Sequence, residues 1–272
     1  MKFSVLMTTY MGERPEFLEK SLLSITKEQT RKPDQVVLVI DGPVSTSLDA
    51  VIGRFEKEGL IEIVRLEKNV GQSAASKVGL EYCKYELVAR MDSDDISVPE
   101  RFEEQLKTFN ENPELDVVGG WIGEFSESET EIKQYRKVPE KDQDIKKFFR
   151  TRNGINNVSV MMKKETLIHS GGYDGKSVNE DYSIYVQMII NDATFYNLQK
   201  MLVRVRVGNG MTKRRRNMQI FYDWKKDQKK LLKAKKTTKR CYLFSCFSCF
   251  LFVLTPSCLK KLLYKIFLRK KG

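Results

Sequence analysis

The sequence predicts an α/β fold, a mostly parallel sheet flanked by helices, with a basic helical segment at its C-terminal end. Three observations carry this. Near-continuous apolar runs alternate with amphipathic segments over residues 1–121. Such runs are strands buried on both faces and joined by right-handed crossovers. The first four runs each end in polar or glycine residues, where open sheets of this class bind ligands. Charge also divides the chain. From Met211 to Gly272 there are 19 Lys+Arg against 2 Asp+Glu, so the net charge of +12 resides in the last quarter.

In order, Phe3–Thr8 is a first strand and Pro15 opens a helix to about Glu28. Gln35–Ile40 is a second strand, stopped by Asp41-Gly42-Pro43, and a helix follows to about Glu58. Ile61–Leu66 is a third strand, Asn69-Val70-Gly71 a turn, and Gln72–Cys83 a helix. Glu86–Met91 is a fourth strand, Pro99–Asn112 a helix, and Leu115–Trp121 a fifth strand. After Gly123 the alternation loosens. Glu124–Glu131 reads as a loop, Gln143–Arg150 as a short helix and Val158–Met162 as an apolar strand. Lys164–Ser170 is a helical turn ended by Gly171-Gly172, Asn179-Glu180-Asp181 opens an amphipathic helix, and Thr194–Val207 holds further strands. The expected organisation is a catalytic domain over 1–210, with halves 1–121 and 122–210, and a tail over 211–272.

The chemistry concentrates after the fourth strand, at Asp92-Ser93-Asp94-Asp95. Three carboxylates in four residues repel one another, and a hard divalent cation such as Mg²⁺ or Mn²⁺ relieves that repulsion while keeping coordination positions for phosphate. The alternative is an acidic turn in which Asp95 or Ser97 caps the next helix. Thr8, Thr9 and Tyr10 follow the first strand, Asp41 and Gly42 the second, Asn69 and Gly71 the third. Four converging polar ends favour a pocket over independent caps. No Gly-x-Gly-x-x-Gly follows the first strand and no Gly-x-x-x-x-Gly-Lys-Ser/Thr occurs. A nucleotide would be held by side chains and a metal ion. Glu180 and Asp181 either complement the dipole of their helix or serve chemistry. His169, the single histidine, reads as a helix-surface residue.

The ordered set Ser4–Tyr10, Val37–Gly42, Asn69–Gly71, Ala89–Asp95, Gly171–Asp174 and Glu180-Asp181 resembles the family 2 inverting glycosyltransferases of the GT-A, Rossmann-like fold, over about residues 2–207. Lys32–Val39, Val64–Gly71 and Glu86–Ser97 look like enterobacterial enzymes adding galactose, β-1,3, to GlcNAc-diphosphoundecaprenol in O-antigen or exopolysaccharide assembly. The resemblance implies roles. Thr8, Thr9, Tyr10 and Asp41, with Asn69 and Gly71, would hold the nucleotide; Arg90, Asp92 and Asp95 would lie near nucleotide and sugar. Asp94, with Asp92, would hold Mn²⁺ or Mg²⁺. Asp181 would be the base, supported by Glu180. The implied partners are a UDP-sugar donor and an undecaprenyl-diphosphate-linked saccharide. Two regions depart from the family pattern: Ala75-Ser76-Lys77, where relatives often carry Arg-Asn, and Asn156–Ser159, where many have His-Pro or His-Ser.

The tail interleaves lysines with Tyr222, Trp224, Leu231 and Leu232, then runs apolar from Tyr242 to Leu254. That run is too short to span a bilayer comfortably, since ~20 residues are needed. Leu259, Leu262, Leu263, Ile266 and Phe267 share one face of a last helix, the pattern of a helix lying in a membrane interface. An anionic membrane surface is the expected partner, at the cytoplasmic face of the inner membrane. The rivals are a cap packed on the core and nucleic-acid binding; no recognition motif accompanies the charge, so no nucleic acid is expected. Cys246-Phe-Ser-Cys249 has metal-like spacing without a second ligand pair. Five unpatterned cysteines fit a reducing compartment, and the N-terminus is too quickly polar for a signal peptide. The alternatives are a family 2 transferase using UDP-GlcNAc, UDP-GalNAc, UDP-glucose or dTDP-rhamnose, or an inactive membrane- or nucleic-acid-binding protein on the same scaffold.

Overall fold

The computed structural model describes residues 1–175, 180–208, 218–255 and 270–271. Four strands lie parallel in the spatial order β3-β2-β1-β4: β1 (Phe3–Tyr10), β2 (Gln35–Asp41), β3 (Glu62–Arg65) and β4 (Leu87–Asp92). Helices α1 (Pro15–Ile25), α2 (Thr46–Lys57) and α3 (Gln72–Tyr82) connect them. Pro15 occupies the first turn of α1, where its missing N–H costs nothing. The helix stops at Ile25, short of the expected Glu28, as the Thr26 hydroxyl donates to the Leu22 carbonyl at 2.6 Å.

The next elements are β5 (Ile96–Ser97), α4 (Arg101–Glu111), β6 (Val117–Phe125), β7 (Gln134–Arg136) and α5 (Asp142–Phe149). Then come β8 (Met161–Lys163), α6 (Lys164–His169), α7 (Glu180–Ile190), β9 (Phe195–Arg206), α8 (Met218–Lys233), α9 (Lys239–Leu254) and β10 (Lys270–Lys271). Here the sheet departs from the mostly parallel expectation and is mixed. β8 inserts antiparallel between β4 and β6, β7 pairs antiparallel with β6, and β9 runs parallel to β6. The right-handed crossover rule governs strand-helix-strand units. Between β6 and β8 the chain makes a hairpin and a helix, and β8 then runs opposite in direction to both of its neighbours. β6 also continues through Glu124 and Phe125, where a loop was expected; both are buried against β9.

Two apolar layers sandwich the sheet, and strand periodicity divides them. Val5, Met7, Val36 and Leu38 meet Leu18, Leu22, Ile52 and Phe102 on one face. Leu6, Val37 and Val39 meet Ala75, Leu80, Tyr185 and Ile189 on the other. Each fully buried side chain of this kind contributes ~1.5–3 kcal/mol. α3 approaches the sheet at Gly79, where an added Cβ would stand 2.5 Å from both Leu6 and Val39. Arg101 of α4, fully buried, donates to the carbonyls of Arg90 (2.7 Å) and Val160 (3.2 Å), tying that helix beneath the end of β4.

The C-terminal helices dock onto this body. Leu231 and Trp224 of α8 join the second layer, and the Trp224 indole donates to Ser245 of α9 at 2.9 Å. The packed-cap reading therefore holds for α8. The basic residues Lys213–Arg216 that open the tail, and the apolar face expected from Leu259 to Phe267, fall outside the described residues. Among the described residues no helix is long and apolar enough to cross a membrane.

Candidate active site

The strand ends meet in register. Thr8 lies beside Asp92 and Tyr10 beside Asp41. Thr8 and Thr9 are buried, whereas the Tyr10 ring is 49% exposed. The turn after β1 lets that ring fold back: a Cβ on Gly12 would sit 2.5 Å from it. A flat aromatic surface is thus presented at the sheet edge.

Asp41 shapes the neighbouring rim. Its carboxylate accepts from the amides of Val70 (2.7 Å) and Gly71 (2.9 Å), and its carbonyl accepts from the Asn69 side chain (3.1 Å). This is why Asn69-Val70-Gly71 forms the rim. Gly71, with φ +88°, supplies a left-handed conformation that other residues resist. Asp41 is buried and engaged with the turn, so the structure gives it a scaffold role beside any contact with a ligand.

Arg90 points into the same region, 2% exposed. Its guanidinium donates to Ser76 (3.2 Å) and to Asp92 Oδ1 (3.3 Å), and it lies 5.9 Å from the Tyr173 ring centroid. Asp92 Oδ1 also accepts from Gln72 at 3.1 Å. Ser76 thus makes the departing Ala75-Ser76-Lys77 segment of α3 a support for Arg90, while Lys77 is exposed. Gly171-Gly172-Tyr173-Asp174 is brought to the same place, with the Gly175 amide on the Ser73 hydroxyl at 2.8 Å.

The capping alternative for the Asp cluster fails. α4 begins at Arg101 with Glu100 before it and no side-chain cap. Asp95 instead accepts from the Arg206 amide of β9 at 2.8 Å, and Ile96-Ser97 pair with β9. Arg206 also donates through Nε to the Asp94 carbonyl, its guanidinium between the rings of Phe17 (3.8 Å) and Phe125 (4.6 Å). Burial, then the charges of Asp94 and Asp92, hold the Asp95 pKa well above the usual carboxylate range. Asp94 is pushed up to about 6 by burial and then by Asp92 and Glu13. Glu13 accepts from the Ser93 hydroxyl at 2.5 Å, which places a fourth carboxylate beside the cluster.

This accumulation of unneutralised carboxylate suits a hard divalent cation. Among the described residues no three His, Cys, Asp or Glu converge to cage an ion unaided. The donor set fits an ion held at Asp94 and completed by oxygens of a bound ligand, with Asp92 beside it.

Asp181 lies across from this edge, in the first turn of α7. Asn157 donates to its Oδ1 at 2.8 Å, and the Tyr185 hydroxyl donates to Asn157 Oδ1 at 2.6 Å. That second bond turns the amide NH₂ of Asn157 toward the carboxylate. Solvent reaches Asp181, yet protein surrounds the carboxylate on enough sides that burial, and then Asp92, push its pKa up to about 6. Arg90 and Arg136 act in the opposite direction. The end of β4 and the first turn of α7 therefore share one electrostatic field. Glu180 is the first residue of α7, and the role expected of its side chain falls outside what is described. His169 ends α6 on the surface, as expected.

Sequence reasoning missed Asn157, Glu13, Gln72, Ser76 and Arg206 as neighbours of the site. Asn157, Glu13, Gln72 and Arg206 sit in a short turn, a loop, a helix start and a strand end without periodic signal, and Ser76 lies within α3. The departures at Ala75-Ser76-Lys77 and Asn156–Ser159 marked the regions of Ser76 and Asn157 as positions worth asking about.

The Glycosyl transferase family 2 model matches residues 4–168. An uncharacterized glycosyltransferase of Haemophilus influenzae is 39% identical over 99% of this chain and 100% of its own length. The amylovoran biosynthesis glycosyltransferase AmsE of Erwinia amylovora is 40% identical over 79% of each chain. The UDP-Gal:alpha-D-GlcNAc-diphosphoundecaprenol beta-1,3-galactosyltransferase of Escherichia coli is 31% identical over 99% of this chain and 97% of its own. Among solved structures, S. aureus TarS 1-349 in complex with UDP-GlcNAc aligns with a TM-score of 0.63 at 18% identity, covering 86% of this chain and 72% of that one. The mannosyltransferase PcManGT of Pyrobaculum calidifontis, in complex with GDP-Man and Mn²⁺, aligns at 0.62 and 15%, covering 96% and 72%. These two share the fold. With the matching family model and full-length relatives above 30% identity, the chain belongs to glycosyltransferase family 2.

Proposed function

We propose that the chain transfers a hexose, galactose from UDP-galactose, to a lipid-diphosphate-linked saccharide with inversion at the anomeric carbon, as a step of O-antigen or exopolysaccharide biosynthesis. The donor and acceptor chemistry is argued from the full-length E. coli relative, whose name specifies UDP-Gal and a GlcNAc-diphosphoundecaprenol. The polysaccharide context is supported by the Erwinia relative and by an E. coli O-antigen biosynthesis glycosyltransferase, WbnJ, 29% identical over 78% of this chain.

The observation that carries the mechanism is Asp181. A carboxylate with a pKa near 6, oriented by Asn157 and facing Asp92 and Arg90, suits a general base working near neutral pH. It takes the proton of the acceptor hydroxyl as that oxygen bonds to the anomeric carbon. The bond from that carbon to the diphosphate oxygen breaks, and UDP leaves on the opposite face. One displacement converts an α-linked donor into a β-linked product. Tyr10 stacks on the base, the Asn69–Gly71 rim and Thr8 border the nucleoside, and Arg90 orients Asp92 toward the sugar. Asp94, with Asp92 and Asp95 behind it, would hold a divalent ion, which when bound would supply positive charge for the diphosphate leaving group. Glu180 is assigned to the acceptor side, and the basic C-terminal part to an anionic membrane surface.

Asp181→Asn tests this reading. UDP binding should persist, and turnover should fall ~10²–10⁴-fold, the usual contribution of a general base. Near-normal turnover would remove Asp181 from that role.

A further inference from the structure

α9 carries a face that the described residues leave uncovered. Its inward side, Ser245 and Val253, is buried. The opposite side presents Leu243 (57% exposed), Phe244 (63%), Phe247 (61%), Phe250 (37%), Leu251 (48%) and Leu254 (57%). At ~100° per residue these positions share one side of the helix. Tyr222 of α8, 57% exposed, extends the apolar area, and Phe221 meets Phe250 edge-on at 5.4 Å between ring centroids. Contiguous apolar surface of this kind marks an interaction site rather than ordinary exposure.

Charge selects the occupant. Lys225, Lys226, Lys229, Lys233, Lys239 and Arg240 are all exposed on the same two helices, with Lys235 exposed in the turn between them, and α9 contains no acidic residue. A second copy of the face would bring like charges together. An anionic bilayer satisfies both features at once, each nearby cation adding ~1 kcal/mol of attraction. The 16 residues of α9 measure about 24 Å along the axis, less than the ~30 Å hydrocarbon core, so the helix can lie in an interface but not cross it.

The inward side of α9 is linked to the helix that bears Asp181. The Tyr182 ring stacks between Trp224 (4.1 Å) and Phe149 (5.4 Å), and Gln228 donates to its hydroxyl at 2.6 Å. The Ser183 hydroxyl donates to Asp227. Tyr182 and Ser183 directly follow Asp181 on α7, and Trp224 reaches on to Ser245 of α9.

We propose that the outward face of α9 is the docking surface for an anionic lipid bilayer, on a helix whose inward side is tied through α8 to the helix that bears Asp181. This rests on the lipid-linked acceptor assigned above. It specifies α9 rather than the last lysine-rich segment as the element that enters the interface.

Flotation of the full chain with phosphatidylcholine vesicles, with and without phosphatidylglycerol, tests it. The wild type should float with the anionic vesicles. Phe244→Ser/Phe247→Ser/Leu251→Ser, which alters only exposed positions and should leave thermal unfolding and UDP binding unchanged, should bind them at least about tenfold more weakly. Lys225→Glu/Lys226→Glu/Lys229→Glu should lose the preference for phosphatidylglycerol. Wild-type vesicle binding by the serine variant would overturn the proposal. So would a wild type that does not float, whether light scattering then shows a dimer, meaning a second copy covers the face, or a monomer, meaning residues 256–269 cover it. Flotation requires no transfer, so failure of the glycosyltransfer reading would show separately, as absent UDP binding.

Discussion

At the scale of single residues, proton transfer depends on how the Asp181 carboxylate is held. Its pKa near 6 lies above the ordinary carboxylate value, so the ionised, proton-accepting form becomes dominant only as pH rises through about 6. Turnover should accordingly climb up to about pH 6 and then level, losing about tenfold for each unit below. Asn157 stabilises the ionised form through its 2.8 Å bond. Asn157→Ala should slow turnover about tenfold and move the ascending limb to higher pH, read from a pH–rate profile. A purely structural role would lower thermal stability and leave the limb in place. Asp92, Asp94 and Asp95 were legible in the sequence because three acids ending an apolar strand break every local preference. Asn157 was not, because its partner lies 24 residues away and loop residues carry no period.

At the scale of elements, the site is made by strand ends and by the helices that press on them. α3 holds Ser76 against Arg90 and Gln72 against Asp92, and its depth is set by Gly79. Gly79→Val should lift the helix from β1 and β2, costing about 1–3 kcal/mol of stability in a denaturant titration and weakening UDP binding. Unchanged stability would mean that Leu6 and Val39 yield without moving the helix. The parallel strands were readable from their apolar runs, since a strand buried on both faces needs no polar alternation. The direction of β8 was not readable: a three-residue strand, Met161-Met162-Lys163, pairs equally well either way. Nor was β5, two residues long and fixed only by Arg204 and Val203 of β9. That pairing displaced the start of α4 from Pro99 to Arg101 and removed the helix-capping role from Asp95.

At the scale of the whole molecule, the ends of the parallel strands lie within electrostatic reach of Asp181 on α7, the arrangement on which the proposed transfer rests. The family is shown by the chain's relatives, and the fold by its structural neighbours. The charge asymmetry correctly separated the last quarter of the chain from the rest in composition. It did not foretell that α8 would pack on α7, because a lysine-rich helix hides its apolar stripe until a partner is known. The most direct measurement of the assigned chemistry is NMR of the product formed from UDP-galactose and a GlcNAc-diphospholipid, with Mn²⁺ or with chelator. The expected result is a β-linked galactoside formed only with the divalent ion. An α-linked product, or undiminished transfer under chelator, would contradict metal-assisted single displacement at Asp94 and Asp181.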